Sequence, residues 1–93
     1  MVFMIAYDLV SPNDTSADYQ RVIGGIKKLY GTYCHLEKSV FLVETNSTSV
    51  AIRDAINNLI YNHDAVFVTQ LHGSWATHAL SAEKVNWLRG RSF

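Results

Sequence analysis

The chain predicts a single α+β domain, a βαββαβ sandwich with a C-terminal strand and helix, and three observations predict it. Two runs, Val2-Phe3-Met4-Ile5-Ala6-Tyr7 and Val40-Phe41-Leu42-Val43, are apolar at both alternating sets of positions, as in strands buried on both faces. Two other stretches carry apolar residues at helical spacing. The order of these segments makes the two doubly apolar runs the first and third strands, which connection rules place at the centre of the sheet.

The first strand ends in a carboxylate, Asp8, followed by a loop over residues 11–14 containing Pro12 and Asn13. Thr15-Ser16-Ala17-Asp18 then fits a capping box, with hydroxyl and acid satisfying reciprocal backbone donors. Tyr19, Val22, Ile23, Ile26, Leu29 and Tyr30 form one helical stripe. Gly24-Gly25 weakens this helix by about 1 kcal/mol per glycine relative to alanine, a cost compatible with close packing on a sheet. Lys27 and Lys28 suit the negative helix C-terminus, and Gly31 ends it. Residues 32–37, with His35 and Glu37, read as an edge strand turning near Glu37-Lys38 into the strand of residues 39–45. The polar loop of residues 46–49 is dense in capping residues, and Ile52, Ile56, Leu59 and Ile60 give a second amphipathic helix. Asn62-His63-Asp64 turns the chain into a fourth strand over residues 65–71, with Phe67 as one of its packed residues.

Residues 1–71 thus follow the ferredoxin-like split βαβ order, and residues 72–93 are an extension. Residues 75–80 are expected as a short extra strand, Ser81 as the cap of a last helix anchored by Trp87 and Leu88, and Arg89 and Arg91 as part of a mobile tail. Two helices cover one face of such a sheet, so the apolar second face calls for cover by the extension or by a second subunit. A two-fold homodimer, sheet against sheet, is the expected answer.

Composition narrows the function classes. Eight basic residues balance eight acidic ones, which counts against tight non-specific binding through phosphates alone. Cys34 is the single cysteine, so there is no intrachain disulfide, as suits a reducing compartment. The N-terminal apolar run stops at Asp8, too short for a signal peptide or a membrane span, and the reading is a cytoplasmic protein without a membrane partner or small-molecule cofactor.

With Tyr7-Asp8 closing the first strand and Ser39-Val40-Phe41 opening the third, the chain resembles the small CRISPR-associated adaptation proteins called Cas-two. It is also similar to their stand-alone relatives, including virulence-associated protein D; the tail with Trp75-Ala76 and Trp87-Leu88 looks closer to these stand-alone members. The resemblance implies a ferredoxin-like homodimer in which the two Asp8 carboxylates face each other and share Mg2+ or Mn2+. It implies a nuclease, of toxin or adaptation type, acting on RNA or DNA, or a non-catalytic subunit that positions nucleic acid. The chain departs from that pattern at residues 11–20, which contain Asp14 and Asp18 and no basic residue before Arg21.

Asp8 is the candidate metal ligand and catalytic carboxylate, for metal-assisted hydrolysis of a phosphodiester, or else a turn-capping carboxylate. Ser39 is a candidate donor to a phosphate or bound water, or a strand-start hydroxyl bonded to backbone; His35 is a candidate acid or base, or a satisfied edge histidine. Tyr7 and Phe41 are placed at the dimer face, with core packing as the alternative. Arg21, Lys27, Lys28 and Lys38 form the candidate phosphate-contacting group, or else an ordinary solvated helix surface. His35, His63, His72 and His78 lack zinc-site spacing, and Cys34 reads as a small buried hydrophobe.

Overall fold

A computed structural model of the chain describes residues 1–10 and 16–93. Strand β1 spans Val2–Asp8, helix α1 Ser16–Leu29, β2 Tyr33–Glu37, β3 Val40–Glu44, α2 Ser49–Asn57, β4 Ala65–Gln70 and α3 Ala82–Arg89. The expected loop of residues 11–14 and the Thr15 half of the capping box lie outside the described residues. The strands form one antiparallel sheet in the order β2-β3-β1-β4, so the two doubly apolar runs are indeed the central strands.

Alternation sorts the sheet into two faces. Phe3, Ile5 and Tyr7 of β1, with Phe41 and Val43 of β3, pack against Val22 and Ile26 of α1 and Ile52 and Ile56 of α2. Each helix is held there by its apolar stripe. Helix α2 begins where Thr48 Oγ1 accepts the Ala51 N–H at 3.1 Å, a side-chain cap supplied by the polar loop. Gly25 allows a close approach of α1 to the end of α2, rather than to the sheet: a Cβ there would lie 2.6 Å from Leu59 Cδ1.

The opposite face divides into two halves. Val2, Leu42 and Cys34 are covered by Leu88 of α3, with Leu80, Trp87 and Phe93 packed alongside. The other half carries Ala6, Asp8, Ala65 and Phe67, and there Phe67 is 60% exposed. The expectation of Phe67 as a packed strand residue is therefore corrected: its alternation aims it at the face the helices do not cover. The same rule corrects the placement of Tyr7 and Phe41 at a dimer face. Both are buried in the core beneath α1 and α2.

The extension differs from expectation in two further ways. Residues 75–80 form no strand; Gly73 (φ 84°) and Ala79 (φ 62°) adopt left-handed backbone at either end of that stretch and break an extended run. The tail is tied down rather than loose. Arg91 pairs with Glu44 and lies 4.6 Å over the Trp87 ring, and Phe93 joins the apolar cluster beneath. Ser81 does cap α3, its Oγ accepting the Lys84 N–H at 3.3 Å. No helix among the described residues is long and apolar enough to cross a membrane.

Candidate functional site

Strand β1 delivers Asp8 to the rim of the sheet, opposite Ala65 of β4 and exposed. Its carboxylate has no hydrogen-bond or ion-pair partner among the described residues. It borders an open, mostly apolar depression of about 270 Å³ shared with Ala6, Ala65, Val66 and Phe67. The chain just beyond Asp8 is clamped from afar. Asp64 Oδ1 accepts the Val10 N–H at 2.8 Å, and Oδ2 accepts the Tyr61 N–H at 3.0 Å. Desolvation pushes the Asp64 carboxyl up. The Tyr61 and Val10 hydrogen bonds, with the nearby His63 and Arg21 charges, outweigh it and hold the group below its ordinary value. Asp64, read from sequence only as a turn residue, thus fixes the rim that carries Asp8.

Ser39, Lys38 and His35 sit at the same end of the sheet but belong to the helix side. The Tyr7 N–H donates to Ser39 O at 3.0 Å, and Tyr7 Oη donates to Lys38 O at 2.8 Å. Ser39 Oγ lies 3.5 Å from Tyr19 Oη, and Lys38 Nζ sits 4.4 Å over the Tyr19 ring. His35 stacks flat on Phe41 at 4.2 Å, with Nε2 3.4 Å from Lys38 O. Burial, reinforced by Tyr19, pushes Tyr7 up to about 12, so its hydroxyl stays a donor across the neutral range. Register therefore separates the three residues expected to act together: Asp8 projects from one face, His35 and Ser39 from the other. Tyr19, one turn into α1, belongs to this group and was legible only as a stripe residue.

The basic residues do not converge either. Arg21 reaches towards the end of α2, donating to Leu59 O and Asp18 Oδ1 and lying 4.7 Å over the Tyr61 ring. Lys27 lies on the other flank of α1, 5.7 Å over the Tyr33 ring, and Lys28 is exposed. Among the described residues, no three His, Cys, Asp or Glu side chains are grouped to hold a metal. Cys34 is buried, and desolvation pushes its thiol up, with Glu83 adding to this and Lys84 opposing it; the neutral thiol is the favoured form. Among the described residues, Asp8 is the one acid that lines the depression at this rim, so one chain offers a hard cation a single carboxylate there. Magnesium is commonly held by one or two carboxylates plus waters and substrate phosphate. No known protein-family model matches the chain.

Proposed function

We propose that this chain is a ferredoxin-like homodimer of the Cas-two-like kind, in which Asp8 of each copy holds one shared Mg2+ or Mn2+ and a phosphodiester of RNA or DNA is hydrolysed. The observation that carries the reading is a free carboxylate set in the uncovered apolar half of the sheet, beside an exposed Phe67. A two-fold contact on that half sets the same patch against itself, which is the geometry two identical acids need to share a cation. The strand order β2-β3-β1-β4, with α1 and α2 on one face, supports the ferredoxin-like assignment. In the assembled site Asp8 would hold the cation, and the cation would neutralise phosphate charge and make a bound water more acidic. Arg21, Lys27, Lys28 and Lys38 belong to the helix side and do not converge on Asp8, so they are given no phosphate contact in this site; the cytoplasm is the proposed location.

Asp8→Asn tests the reading. It keeps the size of the side chain while removing both the repulsion between two facing carboxylates and most of the cation affinity. The metal-free dimer is expected to be no less stable to urea than wild type. The heat of Mg2+ or Mn2+ binding in calorimetry should vanish, with any cleavage of mixed RNA and DNA. Destabilisation of the metal-free protein with an unchanged metal response would make Asp8 a scaffold residue and end the nuclease reading. The separation of Asp8 from His35 and Ser39 favours a second reading, a non-catalytic dimer that positions nucleic acid. A wild-type dimer that binds nucleic acid but shows neither metal heat nor cleavage would select it.

A further inference from the structure

Between the covered half of the sheet and the loop of residues 72–80 lies a cavity of about 340 Å³. Its floor is apolar, formed by Met4, Leu42, Leu71 and Leu88, and Trp75 and Phe93 supply ring surfaces in its wall. Glu37, Thr77 and His78 are its polar lining residues, and all three are exposed. With histidine counted as neutral, Glu37 is the one charged side chain in the lining, and from outside it Lys84 Nζ donates to the backbone oxygen of Leu36 at 2.9 Å. The volume lies at the small end of the range for small-molecule sites, about 300–1,000 Å³.

The loop over this cavity is held differently from the rest of the chain. Among the described residues, 72–80 make no hydrogen bond, and packing of side chains such as Leu80 is what holds them. Both ends of the loop are left-handed, Gly73 at φ 84° and Ala79 at φ 62°. Left-handed backbone is unfavourable for alanine, and such strain recurs at ligand clamps. A segment fixed by apolar contacts, with a strained torsion at Ala79 and a freely turning glycine at its other end, is well suited to lifting off and closing again over an occupant.

We propose that this cavity is a binding site for a small organic ammonium compound with a single-ring aromatic body. The body would occupy the floor between Trp75 and Phe93, and the ammonium would lie at the mouth against the Glu37 carboxylate. Two features select a cation: the Glu37 charge, and aromatic faces that attract positive rather than negative groups. The site lies on the half of the sheet opposite Asp8 and stands independently of the nuclease reading.

The test uses three probes of matched ring and similar chain length: 2-phenylethylamine, 2-phenylethanol and 3-phenylpropanoate. Binding to the full chain is followed by tryptophan fluorescence and by backbone amide shifts. The amine should bind roughly tenfold more tightly than the alcohol, with the acid weakest, as a charge-assisted contact predicts. Shifts should cluster in residues 72–80 and around Leu42 and Leu88, and Glu37→Gln should erase the preference for the amine over the alcohol. Equal binding of all three probes, no binding at millimolar concentration, or shifts confined elsewhere would overturn the proposal. So would an amine preference that survives in a folded Glu37→Gln. Should that variant fail to fold, the probe series on wild type decides: the amine advantage must shrink as salt is raised, and a salt-independent advantage counts against the Glu37 contact.

Discussion

Phe67 offers the sharpest test of assembly, because fold and dimer predict different costs for removing it. A buried aromatic side chain takes about 150–250 Å² out of water, and the 60% exposure of Phe67 leaves roughly 90–150 Å² of such surface uncovered in one chain. At about 25 cal/mol per Å², covering it is worth roughly 2–4 kcal/mol per copy. A two-fold contact uses the residue twice, so Phe67→Ala should weaken the dimer by roughly a thousandfold or more. The fold of the single chain should suffer far less, about 1–2 kcal/mol, since under half of the ring is packed. Phe41→Ala is the control: Phe41 is fully buried and its truncation should cost about 3–5 kcal/mol. Sedimentation equilibrium gives the association constants, and urea denaturation of dilute protein gives the folding costs. A wild type that stays monomeric at high micromolar concentration would refute the argument, as would equal association of wild type and Phe67→Ala. A folding cost for Phe67→Ala matching that of Phe41→Ala would show that β4 packs differently.

Two further substitutions probe the frame around the site. Asp64→Asn leaves one of two backbone N–H donors, Val10 or Tyr61, without its carboxylate oxygen, and should cost about 1–3 kcal/mol at neutral pH by denaturant titration. The Asp64 carboxyl is held below its ordinary value in the folded chain, so its contribution is complete above the unfolded value and is lost as pH falls through the folded one. The gap between wild type and Asp64→Asn should therefore close in acid; a gap that widens there would contradict the assignment. The paired glycines of α1 should respond in opposite directions. A Cβ at Gly24 meets nothing within 4 Å, so Gly24→Ala should gain about 0.5–1 kcal/mol of helix propensity. Gly25→Ala must displace Leu59 from 2.6 Å and should lose about 1–3 kcal/mol of packing against that gain, leaving its melting temperature below that of Gly24→Ala.

The elements and the central position of β1 and β3 were set by local pattern. Apolar residues on both alternations, helical stripes in α1 and α2, and capping hydroxyls such as Ser81 each act over a few residues and are visible in order along the chain. The same pattern places Asp8 at the end of a buried strand. It could not say which alternation faces the helices, because Tyr7 and Phe67 are both aromatic strand residues and only the packing of α1 and α2 distinguishes them. A bulge between His35 and Glu37 resets the face of β2 without a sequence signal. Contacts that close over long separations were likewise invisible: Asp64 holding Val10, and Arg91 pairing with Glu44 and so tying down a tail whose terminal position marked it as mobile. These depend on where the completed sheet ends and on which half of its second face the extension covers. Periodicity of 2.0 or 3.6 residues reports which side chains share a face; only the assembled layers decide what that face meets.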